Sequence, residues 1–338
     1  MLFEKVMIVG VAHVEAPHRI ASTVFEERLA ETIARLGMRP DPLRALAGIE
    51  ARRWWDEGVE PDEAAALAGE KVLAQTGIDR ARVGVIFNTS VCREYLEPST
   101  ACMVHGRLGL SPDCANYDLG NACLAFLNAM ELAGTMLERG AIDYALVVDG
   151  EGSRNVQQST LARLARPETT AADFRAEFAT LTLGSGAVAM LLSREDLHPE
   201  AHRIRGGVSQ AATQWSHLCR GTLDKMTTDT ATLLTEGVSL AMRTWQAAQK
   251  VLGWCDEVLD HLVLHQVSKV HTHKLCQTLG LNPDKAILTF PEMGNVGPAA
   301  VPMTLSAGVE AGTIRAGDRV ALMGIGSGLN VSMMEIIW

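Results

Sequence analysis

The feature that most constrains the fold is a set of short β-branched apolar runs without polar alternation. They are Val6–Val11, Val83–Thr89, Ala145–Asp149, Gly186–Leu192, Leu262–Leu264 and Val320–Met323. A strand with one face in water alternates polar and apolar residues, so uninterrupted runs predict strands covered on both faces. Helical segments lie between them. Thr23 and Glu26 have the spacing of a capping box, Leu29, Ile33 and Leu36 mark one face, and Gly37 offers a left-handed stop. A second helix opens at Asp62 and ends near Gly77, and a third ends before Gly253. Strands alternating with helices predict an α/β fold with covered sheets. The chain has 338 residues, enough for two domains or one large duplicated one. Strand–helix–strand order recurs in both halves, and the second begins near Arg203–Gly207. The polar stretch Ser153–Thr180 is expected to be an inserted cap.

Composition excludes several classes of function. The net charge of −10 disfavours a nucleic-acid binder, which needs clustered Lys and Arg. No apolar run approaches the roughly 18 residues of a membrane span. The first residues read as a strand and not a signal peptide, so a cytoplasmic protein is expected. The seven cysteines lack CxxC spacing, which predicts reduced thiols and no metal cluster.

The segment Asn116-Tyr-Asp-Leu-Gly-Asn-Ala-Cys-Leu-Ala-Phe-Leu carries the most chemical information. Asp118 ends a possible strand, Gly120 and Asn121 make a turn, and a buried helix is predicted from Ala122 to Arg139. Cys123 then sits at the helix amino end, where exposed N–H groups and the dipole favour a thiolate and can hold an oxyanion. A core cysteine at a helix start fits the segment equally well. His265 ends the run His261-Leu-Val-Leu-His, the position at which α/β sheets usually place chemistry. Asn295 lies between Gly294 and Gly297, so backbone can approach closely and its amide can face a cavity. An ordinary Gly/Asn turn is the alternative. Gly324-Ile-Gly-Ser-Gly-Leu-Asn follows a buried strand, lacks dinucleotide-fingerprint spacing, and reads as a hairpin turn.

In this order the four elements resemble the thiolase superfamily, and within it the ketoacyl-synthase III-like condensing enzymes. Asp118–Phe126 resembles the nucleophile motif, His265-Gln-Val-Ser the His-Gln-Ala-Asn stretch, Gly294–Gly297 the Gly-Asn-Thr-Ser stretch, and Gly324–Gly328 the terminal glycine loop. The resemblance spans essentially the whole chain. It implies a five-layer αβαβα fold of two similar halves, residues 1–202 and 203–338, and usually a homodimer. The terminal loop lacks the second cysteine of degradative and biosynthetic thiolases, which favours single-cysteine Claisen chemistry. Leu124 and Ser268 depart from the family's usual residues and argue against a standard fatty-acid-initiation enzyme.

The loop Thr89–Thr100 narrows the resemblance to the non-decarboxylating acyl-CoA condensing enzymes of bacterial long-chain olefin synthesis. Joining two plain acyl thioesters requires a base for the α-proton, and a carboxylate desolvated near an apolar tunnel could serve. Glu97, before Pro98-Ser99, matches the family's glutamate base, which crosses the dimer interface; Glu94 is the nearby competitor. On the residues alone, both glutamates read as solvated loop carboxylates. The resemblance implies Cys123 as nucleophile, Glu97 as base, and His265 and Asn295 as enolate donors. It implies the backbone N–H groups of Cys123 and Ser327 as the oxyanion hole. Long-chain acyl-CoA molecules are the implied substrates, other olefin-pathway enzymes are possible partners, and no cofactor beyond substrate coenzyme A is expected. A malonyl-dependent decarboxylating synthase and a non-catalytic acyl-binding scaffold are the alternatives.

Overall fold

The apolar runs assemble into one nine-stranded sheet in a computed structural model that describes all 338 residues. From one edge the order is His261–Leu264, Arg319–Gly326, Asn330–Ile337, His202–Ala211, Val6–Glu15, Gly186–Arg194, Tyr144–Glu151, Val83–Asn88 and Ala115–Asp118. The two halves repeat one pattern. Val6–Glu15 pairs antiparallel with Gly186–Arg194, which pairs antiparallel with Tyr144–Glu151, which pairs parallel with Val83–Asn88. His202–Ala211 pairs antiparallel with Asn330–Ile337, which pairs antiparallel with Arg319–Gly326, which pairs parallel with His261–Leu264. Each half therefore places its first strand at the centre, its last strand next, and an earlier strand beyond. Ala115–Asp118 extends the first half by one parallel strand. Within the sheet the halves join where Val6–Glu15 pairs antiparallel with His202–Ala211, Met7 opposite Arg203 and Ile8 opposite His202.

The core explains the uninterrupted runs. All eight residues of Tyr144–Glu151 are buried. Ala145 and Val147 face a central core, while Leu146 and Val148 face an outer one, as the two-residue strand period requires. The central core holds the helices Ala125–Glu138 and Ala300–Glu310 between strands of both halves, with Val85 and Met190 on one side and Val263 and Leu322 on the other. Helices Pro61–Thr76 and Thr100–Leu108 cover the outer face of the first half. Helices Thr230–Leu252 and Lys269–Leu279 cover that of the second. The layers run helix, sheet, helix, sheet, helix.

Residues 153–180 do not stand alone. Helices Arg154–Leu164 and Ala171–Glu177 pack on helices Ser22–Arg28 and Ala30–Arg35. Phe25, Leu29, Trp54, Leu161 and Phe174 form a separate small core there. The Gln157 side chain accepts the Trp54 indole N–H at 2.6 Å and donates to the Thr180 and Leu183 carbonyls. Fully buried Arg52 donates to the Ser22 hydroxyl and the Leu181 carbonyl. The stretch looked polar because residues 22–54 supply much of its apolar surface. The expected capping box does not form. The helix begins at Ser22 without a side-chain cap, the Ser22 hydroxyl donates to the Ile49 carbonyl at 2.5 Å, and Glu26 turns inward to Arg44.

Candidate active site

Cys123 follows the strand Ala115–Asp118 but precedes its helix, which starts at Ala125 and not at Ala122. Ala122 takes φ +47°, a left-handed conformation uncommon for a residue with a side chain. The bend is braced from two sides. Asn121 donates to Asn128 Oδ1 at 2.7 Å and accepts from Asn330 Nδ2 at 3.1 Å. The terminal hairpin, Arg319–Gly326 and Asn330–Ile337, closes over the bend. A Cβ at Gly326 would lie 3.1 Å from the Asn121 carbonyl, and one at Gly324 would lie 2.6 Å from Leu124. The absent side chains let the strand end Gly324–Gly326 pack directly on the Asn121–Leu124 turn.

The dipole-favoured thiolate expected from sequence is not what the structure supports. Burial raises the Cys123 thiol to about 12, with the negative charge of Glu151 next in effect and Cys219 and Asp149 contributing. Desolvation outweighs a helix amino end that lies two residues further on. In the single chain this favours the protonated thiol over the thiolate.

His265 is buried at the carboxyl end of His261–Leu264, its backbone N–H held by the Met323 carbonyl at 2.8 Å. Burial lowers it to about 3, with a smaller contribution from His271. It is a neutral imidazole at any ordinary pH. Its Nδ1 has no partner, and neither does that of His271, which borders the same small pocket with Gly237, Ala241 and Leu275. Gln266 knits this strand to the next segment, donating to the Leu264 and Ile287 carbonyls and accepting the Thr289 and Phe290 N–H groups. Ser268 caps the following helix through the His271 N–H, so a short polar residue there keeps a backbone role.

Asn295 is fixed by its backbone, donating to the Thr182 carbonyl and accepting from Gly184. Its Oδ1 accepts the Gly297 N–H at 3.0 Å, which leaves the amide nitrogen as the free, donating end. The glycine spacing therefore sets the amide's direction.

Glu97 and Glu94 both lie exposed in the single chain, on a loop whose Leu96 is 92% exposed. The desolvation expected of a base is therefore absent at Glu97 in the single chain. The carboxylate that does lie in the buried site is Glu151, which sequence reasoning missed. Burial raises it to about 7, and Asp149, two residues earlier on the same strand, is pushed well up by burial and then by Glu151. The signal was two acids in Val-Val-Asp-Gly-Glu, at the end of a run that is otherwise apolar.

Comparison with known proteins decides the family. The C-terminal domain family of 3-oxoacyl-[acyl-carrier-protein] synthase III matches residues 251–338. An acyl-CoA:acyl-CoA alkyltransferase of Xanthomonas campestris is 52% identical over 338 residues, all of both chains. One of Shewanella oneidensis is 35% identical over 350 residues, again all of both chains.

The chain belongs to the acyl-CoA:acyl-CoA alkyltransferase family.

Crystal structures of the Xanthomonas alkyltransferase, OleA, share the whole fold. Its cerulenin-bound form is similar with a TM-score of 0.99 at 51% identity, covering 100% of this chain and 98% of that one. A cysteine-to-serine variant holding lauric acid and lauroyl-CoA gives a TM-score of 0.98 at 51% identity, with complete coverage of both chains. Other structures of that alkyltransferase carry replacements at a glutamate, at the same cysteine and at a histidine. The replaced glutamate precedes the cysteine by 26 residues and the histidine follows it by 142, the same spacings as Glu97, Cys123 and His265.

Proposed function

We propose that this enzyme joins two long-chain fatty acyl-CoA molecules by non-decarboxylative Claisen condensation, giving a 2-alkyl-3-keto acid. The observation that carries the reading is the full-length 52% identity to an acyl-CoA:acyl-CoA alkyltransferase. The shared Glu–Cys–His spacing supports the assignment of residues.

The Cys123 sulfur attacks the thioester carbon of the first acyl-CoA, and the N–H groups of Cys123 and Ser327 hold the oxyanion. The C–S bond to coenzyme A breaks, and coenzyme A leaves with the thiol's proton. The second acyl-CoA then binds with its thioester oxygen towards His265 and Asn295. Glu97 takes the α-proton, and the two neutral donors hold the enolate. The carbanion forms a carbon–carbon bond to the acyl-Cys123 carbonyl, the C–S bond to Cys123 breaks, and the released sulfur takes up the proton held by Glu97, restoring thiol and carboxylate. Water cleaves the remaining thioester, giving the keto acid and a second coenzyme A. No cofactor or metal enters these steps.

Glu97 reaches Cys123 of a second copy in this reading, which makes the enzyme a homodimer. Val91, Tyr95, Leu96 and Tyr117 are exposed apolar side chains on and beside the Glu97 loop, a surface suited to such a contact. No helix is long and apolar enough to cross a membrane, and we place the enzyme in the cytoplasm, supplying the next enzymes of olefin synthesis.

The match of residues 251–338 to the synthase III family favours a decarboxylating synthase as the second reading. Mass spectrometry after mixing with one acyl-CoA is the first test. An acyl adduct on Cys123 excludes a passive acyl-binding scaffold. Activity only with malonyl-carrier protein would overturn the proposed reaction in favour of the second reading.

A further inference from the structure

The loop that carries Glu97 is tied down at both ends and free between them. Before it, the chain is zipped to the strand Tyr144–Glu151. Thr89 donates through its N–H to Val148 and through its hydroxyl to Asp149 at 2.5 Å, and the Gly150 N–H donates to the Ser90 hydroxyl at 2.9 Å. The last ties run to Gly152 and Glu151, and the Cys92 thiol donates to the Gly152 carbonyl at 3.2 Å. The Glu151 carboxylate accepts the Val91 N–H at 2.6 Å and the Cys92 N–H at 3.4 Å. Glu151 is itself held, its carbonyl accepting the Trp55 indole N–H at 2.9 Å. At the far end, Asp118 accepts the Thr100 N–H at 3.0 Å and the Ala101 N–H at 2.8 Å, the first N–H groups of the helix Thr100–Leu108. Between the clamps, Glu94, Tyr95, Leu96, Glu97 and Pro98 are exposed, and the tie made there by the Tyr95 hydroxyl is a long 3.3 Å bond to Glu60.

Both clamps come from strands that also frame the nucleophile. Asp118 ends the strand leading to Cys123, and Glu151 is close enough to disfavour the Cys123 thiolate. A Cβ at Gly297 would lie 3.5 Å from the Glu151 carboxyl carbon, so the Asn295 turn rests on the same side chain.

We propose that Glu151 and Asp118 are positioning residues that clamp the two ends of the Ser90–Thr100 loop and so set where Glu97 presents its carboxylate. This deepens the reading of Glu97 as the base and rests on it. A base one ångström out of place can lose about a hundredfold in rate even when the nucleophile is intact. The clamp therefore acts on condensation and not on acylation. Removing the Glu151 charge also relieves Cys123, so acylation should not slow.

The test measures the two half-reactions separately in the full-length enzyme, by stopped acylation of Cys123 and by keto-acid formation from a single acyl-CoA. Glu151→Ala should acylate at the wild-type rate or faster and condense at least about tenfold more slowly, with acyl-enzyme draining to free fatty acid. Glu151→Gln keeps an acceptor for the Val91 N–H and should stay within about threefold of wild type in condensation. If Glu151→Ala does not fold, Asp118→Ala is read by the same split at the other end of the loop. Unchanged condensation in the folded alanine variant would overturn the inference. Equal loss of both half-reactions in Ala and Gln variants would also overturn it, because it would show a general structural role. Glu97→Ala separates the two readings. If it condenses normally, the base assignment fails. If it stops condensation while Glu151→Ala does not, only the clamp fails.

Discussion

Val83–Asn88 in the first half and His261–Leu264 in the second hold equivalent places in the repeated strand order, and both lead into site residues. The first runs into an exposed loop bearing Glu94 and Glu97. The second ends at a buried, neutral His265. The next strands differ in the same way. Tyr144–Glu151 ends in two buried carboxyls, and Arg319–Gly326 ends in a glycine-rich hairpin without an ionisable side chain. In the proposed reaction, one fold unit, used twice, supplies nucleophile and base from its first half and uncharged donors from its second. That division suits a carbanion reaction. The base must be ionised, whereas the enolate donors need no charge and lose less by burial if they have none.

Substitutions at the strand ends should separate these roles. The largest expected effect is Cys123→Ala, which should form no acyl adduct by mass spectrometry and no keto acid. Glu97→Ala should follow, with condensation down about 10²–10⁴-fold and acylation retained. Asn295→Ala, which removes one neutral donor from the second half, should cost about 10²–10³-fold in condensation rate. If Asn295→Ala lost acylation instead, the assignment of enolate stabilisation to the second half would be wrong.

Protonation should distinguish the halves through stability. His265 at about 3 and His271 at about 4 both lie below the usual value near 6.5, because burial favours the neutral ring. The unfolded chain binds more protons, so their contribution is intact above pH 6.5 and is lost as pH falls towards 4 and 3. Glu151 has the opposite sign. Its folded value of about 7 lies above the ordinary 4.5, so its contribution is intact below pH 4.5 and lost as pH rises through 7. Urea midpoints across pH 4–9 should show the acid loss reduced in His271→Leu and the alkaline loss reduced in Glu151→Gln. The smallest effect should come from Gly326→Ala, whose Cβ would press on Asn121 and Leu124 at 3.1–3.2 Å. An overpacking cost of about 1–3 kcal/mol is expected, read as a lowered Tm.

Much of the fold was legible because the runs buried on both faces are nearly pure hydrophobe. Such a run is hard to read as anything but a covered strand. His202–Ala211 and Asn330–Ile337 escaped detection because Arg203, Arg205 and Glu335 interrupt them. Those charges are paired, Glu335 with Arg205 at 2.8 Å and with Arg319 at 3.0 Å. Pairing across strands is invisible in one segment read alone. The polarity of Ser153–Thr180 misled for the same reason, since its apolar partners lie more than a hundred residues earlier. At the site, Cys123, His265 and Asn295 stand out locally as a turn before a helix, a strand end and a glycine turn, but those local patterns fit structural roles as well, and only the family resemblance assigns them chemistry. The inward Glu151 was not legible, because which acid of Asp-Gly-Glu meets the Val91 N–H depends on the neighbouring strand. Nor could local sequence show that desolvation would outweigh the helix dipole at Cys123.

The most direct test of the account is the balance of products from one saturated long-chain acyl-CoA supplied alone, with coenzyme A and keto acid counted together. Non-decarboxylative condensation gives one 2-alkyl-3-keto acid for every two coenzyme A released, with no malonyl donor and no carbon dioxide. Coenzyme A release matched only by free fatty acid, or keto acid appearing only when a malonyl thioester is added, would contradict it.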